Sequence, residues 1–201
     1  MPRVLTQTDV ADFRERLCEA ATRLFDAKGR EGFTMRELAS ELGVSAMTPY
    51  RYFKDKDDIL AAVRARAFNR FAESLETAFK QAELAPEKSS AVFEAYTAFA
   101  FGEPAAYRLM FDLSQPDETA YPELVEAATR ARKTMTSYVR ALVADGVLEG
   151  DPELIGHVFW ASLHGAVVLK LAGKLGEDYD FDRISGEVFR VLFEGYQPKR
   201  F

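Results

Sequence analysis

The stretch that most restricts the fold of this chain is residues 34–53, TMRELASELGVSAMTPYRYF. Leu38 and Leu42 lie at a spacing that places them on one face of a helix. Gly43 follows, and glycine tolerates the positive φ that ends a helix in a tight turn. Ser45 is a good N-cap for a second helix. The pattern predicts two short helices joined by a glycine turn, which is the geometry of a DNA-binding helix-turn-helix.

The second half of this stretch is rich in hydroxyl, phenol and cationic groups. Such groups bond phosphate oxygens, and Lys and Arg add affinity by releasing counterions condensed on DNA. The fork of Arg51 also matches the two acceptors of a guanine edge. We expect Phe53 to be a core residue. The predicted DNA contacts are Thr34, Arg36, Ser45, Ala46, Met47, Thr48, Tyr50, Arg51, Tyr52, Lys54 and Lys56.

The helix that follows this segment is expected to begin at Asp55. The carboxylate of Asp55 is a good N-cap, and the positive end of the helix dipole would then face the DNA backbone.

Pro49 disturbs the second helix of the pair. With Ser45 as N-cap, the ring of Pro49 would press on the Ser45 carbonyl and remove the first helical hydrogen bond. Proline also biases the preceding residue, Thr48, away from the α region. We therefore expect a recognition helix that starts late or irregularly, which affects the groove contacts of Ala46, Met47 and Thr48.

The charge distribution is compatible with DNA binding at one end only. The 201-residue chain carries a net charge of −6, which is unfavourable for a DNA-binding protein as a whole. Up to residue 56, however, ten Lys and Arg stand against nine Asp and Glu, so the acidic excess lies in the remainder. An acidic remainder would confine DNA contact to the amino-terminal part.

The sequence predicts neither a metal site nor a cofactor. One Cys and two His cannot supply an intrachain disulfide or a cysteine cluster for zinc, and Cys18 is expected to be a buried, inert thiol. Ser162 and His164 are two apart on a predicted helix and point in different directions, so enzyme activity is not expected. The most apolar run, 158–171, is too short to span a bilayer, and we expect a cytoplasmic protein.

The whole chain is predicted to be helical, with Gly, Pro and Asp as breaks and no convincing strand. A first helix is expected from Val10 to Lys28, and a long helix from Asp55 to Ala82. Residues 114–122, SQPDETAYP, form the clearest loop and are predicted to be mobile. The predicted fold class is all-α, with about nine helices in total.

Residues 13–60 resemble the N-terminal domain of the TetR family of bacterial transcription regulators. The resemblance lies in collinear segments: Ala20-Ala21-xxx-Leu24-Phe25-xxx-Gly29, Gly32-Phe33-Thr34-Met35-Arg36-Glu37-Leu38-Ala39, Gly43-Val44-Ser45 and Tyr50-Arg51-Tyr52-Phe53-Lys54-Asp55-Lys56. A second segment, FWASLHGAVVLKLAGKL, is similar to the Trp-His-Gly signature of one class of TetR C-terminal domains, through Trp160, His164 and Gly165.

The resemblance implies a homodimeric, all-helical repressor that binds an operator in double-stranded DNA. It implies a helix-turn-helix domain over 1–54 with three helices, a connecting helix over 55–82, and a helical-bundle domain for ligand binding and dimerisation over 83–201. The family places its dimer interface at the last two helices. The small residues Ala161, Gly165 and Ala172 are compatible with that interface.

The resemblance also implies an effector cavity in the C-terminal domain. An apolar cavity with few polar groups would suit an aromatic or lipid-like molecule. For Trp160 and His164, a purely structural role in the core stays open as the alternative. The predicted effector-lining residues are Phe93, Tyr96, Phe99, Tyr107, Met110, Phe111, Tyr138, Trp160 and His164.

The predicted function is a DNA-binding transcriptional regulator, a repressor released from its operator by a small apolar or aromatic ligand. The alternative is a helical small-molecule-binding protein or carrier that does not act on DNA. The cations and phenols between residues 48 and 56 argue against the carrier. Activation and repression use the same DNA chemistry, so the sequence does not separate them.

Overall fold

The first helix shows how local sequence sets the helix boundaries in this protein. Thr6 caps it: the Asp9 amide donates to the Thr6 hydroxyl (3.1 Å), and the Thr6 amide donates to the Asp9 carboxylate (2.8 Å). This capping box begins the helix at Gln7, earlier than the expected Val10. Gly29, at a φ of +69°, ends it where the sequence predicted.

The structure, a computed structural model, describes residues 6–112 and 118–199. Within these ranges the chain is all-helical and contains no strand, which confirms the predicted fold class. The helices are α1 (Gln7–Lys28), α2 (Met35–Glu41), α3 (Lys56–Gln81), α4 (Ala85–Gly102), α5 (Pro104–Met110), α6 (Pro122–Ala144), α7 (Pro152–Leu171) and α8 (Phe181–Tyr196), with 3-10 turns at Pro49–Arg51, Glu118–Ala120 and Glu177–Tyr179.

The expected mobile loop over 114–122 is only partly described. Residues 114–117 lie outside the described residues. Glu118–Ala120 form a 3-10 turn, and Pro122 begins α6.

Packing divides the chain into two compact units. The first contains Asn69 and the described residues before it, together with those of 105–128; the second contains Arg70–Pro104 and the described residues from Thr129 onward. The division falls within α3 and within α6, and it groups α5 with the helix-turn-helix elements. The functional boundaries at residues 54 and 82 stay a prediction, because packing does not test them.

The first unit has a core built from α1, α2, α3 and α5. Burying a large apolar side chain of this kind stabilises the fold by about 1.5–3 kcal/mol relative to exposure. Phe53, 2 % exposed, belongs to this core as predicted, and so anchors the end of the helix-turn-helix segment. The main members of this core are Leu17, Phe33, Leu38, Phe53, Ile59, Leu60 and Leu109.

Among the described residues of the first unit, one charged side chain is buried. Arg64 on α3 is 4 % exposed and forms an ion pair with Glu118. Its guanidinium also donates to the Met110 carbonyl at 3.4 Å. A buried guanidinium is stable only when it is paired in this way, so Arg64 connects α3 to the end of α5 and to the 3-10 turn that follows.

The second unit has an aromatic core. The ring of Phe71 on α3 contacts Tyr96 and Phe99 on α4, with centroids 5.1 and 5.2 Å apart. Phe159 on α7 contacts Phe189 on α8 at 5.4 Å. Such tilted and edge-on ring pairs add roughly 0.5–1.5 kcal/mol each beyond the burial of their surface.

The apolar run 158–171, which lies in α7, was expected to be too short to span a membrane. Among the described helices, α7 is the one whose length and composition match a membrane span, with 20 residues from Pro152 to Leu171. A core helix passes the same test, and α7 packs against α8 through Phe159.

Candidate DNA interface and effector cavity

The first helix and the turn of the helix-turn-helix form as the sequence predicted. Thr34 caps α2 with a reciprocal capping box to Glu37. Gly43 has a φ of +66°, and the Val44 amide donates back to the Ala39 carbonyl at 2.9 Å. Ala39 is buried, so a small side chain is needed where the two elements cross.

The second element is not an α-helix. After Ser45 the chain makes a turn and then the 3-10 turn Pro49–Arg51, with hydrogen bonds that mostly span three residues. The expected irregularity at Pro49 is therefore present, and the second helix predicted for this motif is replaced by a 3-10 turn. The expectation that Thr48 leaves the α region was wrong: its φ and ψ are −64° and −46°. A turn bond from the Thr48 amide to the Ser45 carbonyl (2.9 Å) holds it there.

Most predicted DNA contacts lie on the surface of the first unit. Met47 is 68 % exposed and Tyr50 48 % exposed, whereas Pro49 between them is buried. Thr48 and Tyr52 are half-buried, and Tyr52 packs on Phe13 with centroids 4.9 Å apart. The exposed members are Thr34, Arg36, Ser45, Ala46, Met47, Tyr50, Arg51 and Lys54. We call residues 45–52 the recognition segment.

Lys56 differs from the other predicted contacts because its ammonium is used within the protein. Its Nζ donates to the Arg30 carbonyl at 2.8 Å and lies 5.6 Å from the ring centroid of Phe33. The hydroxyl of Thr34 is likewise engaged in capping α2. Contact of these two residues with DNA stays a prediction.

Asp55 caps α3 as predicted, accepting from the Asp58 amide at 2.9 Å. Asp58 in turn accepts from the Lys54 amide at 2.8 Å, and Asp57 pairs with Arg30 at 3.0 Å. Three carboxylates therefore offset the partial positive charge at this helix end. The exposed side chains, rather than the α3 dipole expected from the sequence, are the groups that can attract phosphate here.

Arg14 on α1 is a residue that the sequence analysis missed. Its Nη1 donates to the Tyr52 carbonyl at 2.7 Å, and its guanidinium carbon lies 4.4 Å from the ring centroid of Phe53. No local pattern links residues 38 positions apart, so only the packing of α1 against the recognition segment reveals this contact.

The second unit contains a narrow aromatic cavity, here called the slot, with a free volume of about 20 Å³. Four of the predicted effector-lining residues border it: Phe93, Tyr96, Tyr138 and Trp160. The rest of its wall is Ser89, Val92, Met135, Phe159, Leu163 and Phe189.

Other predicted effector residues lie elsewhere. Phe99 is buried against Phe71, and His164 does not line the slot, although its ring lies 6.5 Å from that of Trp160. Three more, Tyr107, Met110 and Phe111, belong to the first unit, where Tyr107 packs on Phe111 at 5.1 Å. Because these roles depend on a bound effector, they stay predictions.

The polar groups at the slot and beside it are uncharged near neutral pH. Burial raises the pKa of the Tyr138 phenol far above its ordinary value, so the phenol remains protonated. Burial lowers the pKa of His164, so its imidazole is neutral. This environment favours an uncharged or apolar group in the slot.

A larger groove between α4 and α8 adjoins the slot. It has a free volume of about 580 Å³ and is open to solvent. Ser89, Phe93 and Phe189 border both spaces, and the rings of Phe93 and Phe189 meet edge-to-face at 5.0 Å. These two rings therefore belong to the lining that the groove and the slot share.

The described residues contain no group of three or more His, Cys, Asp or Glu side chains that could hold a metal ion. Cys18 is buried, and burial raises the pKa of its thiol to about 11. A thiol with such a pKa stays protonated at neutral pH, and the burial of Cys18 is as predicted.

The predicted dimer residues lie on an apolar stripe of α7. Leu154 is 59 % exposed and Val168 43 % exposed. Apart from its chain neighbours and the backbone of its own helix, nothing lies within 4 Å of the position that a Cβ on Gly165 would occupy. We call this surface the α7 seam; its members, alternately four and three residues apart, are Leu154, Val158, Ala161, Gly165, Val168 and Ala172.

Comparison with known proteins identifies the family. Residues 89–192 match the family described as "Tetracyclin repressor-like, C-terminal domain", and residues 17–63 match "Bacterial regulatory proteins, tetR family". An HTH-type transcriptional regulator of Staphylococcus aureus is 42 % identical over 73 residues, which are 36 % of this chain and 37 % of the relative. An HTH-type regulator of Mycobacterium tuberculosis is 26 % identical over 92 % of this chain and 82 % of its own length.

Solved structures agree on the fold. A protein of unknown function from Rhodococcus sp. RHA1 is 26 % identical, with a TM-score of 0.81 over 98 % of this chain and 100 % of that one. The transcriptional regulator FadR from Bacillus subtilis, solved with stearoyl-CoA, is 20 % identical, with a TM-score of 0.75 over 91 % of this chain and 99 % of its own. The chain belongs to the TetR family of bacterial transcriptional regulators.

Proposed function

We propose that this protein is a cytoplasmic repressor, without enzyme activity, that binds a pseudo-palindromic operator as a homodimer and leaves it when an apolar effector binds. One observation carries the DNA-binding part of the proposal: the recognition segment exposes Arg51, Tyr50 and Met47 beside a well-formed helix and glycine turn. Pro49 within the segment and Phe53 directly after it are buried and anchor it to the core.

Each exposed side chain has a distinct role at a DNA duplex. The guanidinium of Arg51 would bond a guanine edge or a phosphate, and Lys54 would bond a phosphate as a point charge. The phenol of Tyr50 would donate to a phosphate oxygen while its ring stays against protein. Met47 provides the apolar contact that a thymine methyl favours.

The occupant proposed for the α7 seam is a second copy of the chain. An apolar stripe with alternating four- and three-residue steps is the pattern by which two helices pack along their length. Glycine and alanine in the stripe allow close approach, and an exposed apolar stripe of this length is unfavourable in water. A two-fold dimer would present two recognition segments about 34–36 Å apart, one turn of DNA.

The slot and the groove together are proposed as the effector site. The slot alone holds about one water molecule, whereas sites for drug-sized ligands occupy roughly 300–1,000 Å³. The groove has that size, and a ligand lying in it would reach the slot by moving Phe93 or Phe189. A similar fold binds stearoyl-CoA, which has a long apolar chain, and this supports an apolar effector.

The effector would act on DNA binding through α3, one continuous helix whose residues are divided between the two units. A small tilt of such a helix changes the separation of the recognition segments in a dimer. A coupling free energy of about 1–3 kcal/mol would weaken operator binding roughly 5- to 150-fold. The carrier alternative predicts no such coupling.

Selection of bound duplexes from a random pool tests this function. We expect an inverted repeat whose affinity falls steeply with salt, because Lys and Arg release counterions from phosphates. Apolar aromatic and acyl compounds that raise the melting temperature should then release the selected duplex. Absence of any selected sequence would leave the carrier, and selection without any stabilising compound would indicate a regulator that senses no small molecule.

A Val168→Glu substitution should convert the dimer to a monomer. A carboxylate in the middle of the α7 seam would be desolvated against its copy, which costs more than the apolar contact it replaces. Sedimentation should change from twice the chain mass of 22.6 kDa to that mass. Gln197→Glu adds the same charge at an exposed position outside the seam and should leave the dimer intact. A dimeric Val168→Glu protein would place the interface elsewhere.

A further inference from the structure

The recognition segment is held in place by a residue outside it. Arg14 on α1 donates from Nη1 to the Tyr52 carbonyl at 2.7 Å. The same guanidinium lies over the ring of Phe53, 4.4 Å from its centroid. The Arg14 side chain therefore contacts both Tyr52 and Phe53, which directly follow Tyr50 and Arg51 in the chain.

The recognition segment needs a contact from outside because it has few backbone hydrogen bonds of its own. Its backbone bonds run from Thr48 to Ser45, from Arg51 to Thr48, and from Tyr52 and Phe53 to Pro49. A 3-10 turn this short has poorer hydrogen-bond geometry than an α-helix and lacks its cooperative stabilisation. The direction in which Tyr50 and Arg51 point therefore depends on tertiary contacts.

Arg14 itself is well placed to fix that direction. It lies one turn before Leu17 and Cys18, which are 0 % and 3 % exposed, so the backbone of α1 is anchored in the core at this point. A hydrogen bond from a charged donor is about twice as strong as a neutral one, and stacking of the guanidinium on an aromatic ring adds to it. On the same helix, Phe13 packs on the Tyr52 ring at 4.9 Å.

We propose that Arg14 is a positioning residue for DNA sequence recognition and acts through the Tyr52 carbonyl and the Phe53 ring. The proposal rests on the DNA-binding function proposed above. Non-specific affinity depends chiefly on the number of phosphates neutralised, whereas base contacts require side chains held within about 0.5 Å of the productive geometry. Loss of Arg14 therefore lowers discrimination between sequences much more than it lowers attraction to DNA.

The experiment compares full-length Arg14→Met and Arg23→Met with the wild type. Both substitutions remove one positive charge from α1, and Arg23 is an exposed residue that pairs with Glu41 away from the recognition segment. The measured quantity is the ratio of the affinity for the selected operator to that for a scrambled duplex of equal length. We expect Arg14→Met to lower the ratio roughly 10- to 100-fold and Arg23→Met to leave it unchanged.

Arg14→Lys provides the rescue. Lysine keeps the positive charge and can still donate a hydrogen bond, but it lacks the planar guanidinium that can bond the Tyr52 carbonyl and stack on the Phe53 ring at the same time. The affinity ratio of Arg14→Lys should therefore lie between those of Arg14→Met and the wild type. If Arg14→Met lacks a native circular dichroism spectrum, Arg14→Lys decides alone: a lowered ratio supports the proposal, and a wild-type ratio overturns it.

Two further results would overturn the proposal. One is an equal ratio for Arg14→Met and Arg23→Met. The other is an Arg14→Met protein that loses affinity equally for both duplexes and whose salt dependence weakens by about one phosphate contact, while that of Arg23→Met does not. That result would make Arg14 a direct phosphate ligand. A wild-type protein that prefers no duplex would instead contradict the proposed function.

Discussion

Replacing Arg51 by alanine together with Tyr50 by phenylalanine should weaken operator binding roughly 70-fold or more without unfolding the protein. A bidentate arginine–guanine contact contributes roughly 1–3 kcal/mol of discrimination, and a hydrogen bond to a charged phosphate about 1.5–3 kcal/mol. Tyr50 is 48 % exposed and Arg51 is exposed, so the first unit should keep its core. Gel-shift titration of the selected operator and circular dichroism measure the two effects.

The double substitution Arg132→Ala with Tyr179→Phe is the matched control. It deletes the same atoms from exposed residues of the second unit, so operator affinity should be unchanged. The single variants separate the two roles. For Arg51→Ala, loss of a phosphate contact would reduce the salt slope by about one, whereas loss of a base contact would relax the preference at one position of the operator; Tyr50→Phe removes an uncharged donor and should lower affinity at an unchanged slope. Wild-type affinity of the double variant, with a native spectrum, would remove both residues from the interface.

Gly156→Ala should lower the free energy of unfolding by about 1–3 kcal/mol. Gly156 lies on α7 where that helix approaches α6. A Cβ at this position would lie 2.7 Å from the side chain of Thr136 and 3.2 Å from its Cα, so the two helix backbones would have to separate. Urea unfolding monitored by circular dichroism measures the change from the shift of the midpoint at constant slope.

Gly186→Ala supplies a control of opposite sign. It places the same methyl group inside α8, where nothing lies within 4 Å of the new Cβ. Alanine in a helix interior is favoured over glycine by about 0.5–1 kcal/mol, so this variant should be slightly more stable than the wild type. Equal stabilisation by both substitutions would show that α6 and α7 do not approach at Gly156 as closely as described.

Local patterns predicted the elements whose causes are local. Gly29 and Gly43 end their helices at positive φ, and Asp55 caps α3, because a turn or a cap involves only a few neighbouring residues. Phe53 could be assigned to the core because a large apolar ring, unlike the cations beside it, is unfavourable in water. Pro49 predicted an irregular second element, although the sequence could not show that Thr48 would remain in the α region.

Contacts between distant residues were beyond such patterns. The size of the slot, the assignment of Tyr107 and Phe111 to the first unit, and the close approach at Gly156 all depend on how helices pack. Sequence spacing shows which residues share a helix face but not which face of another helix they meet. Spacing therefore could not show that four of the predicted effector residues border the slot, or that Tyr107 and Phe111 belong to the first unit.

The amino-acid sequence by itself determined the all-helical class, the helix and glycine turn of the recognition motif, and the side chains able to bond DNA, because each follows from residue type and short-range spacing. The tertiary structure alone decided how those side chains are held. Lys56 donates a hydrogen bond to the Arg30 carbonyl, and Arg14 donates one to the Tyr52 carbonyl, 38 positions away in the sequence. These bonds form only after hydrophobic burial has packed α1 against the segment, because burial sets the distances over which polar groups can meet.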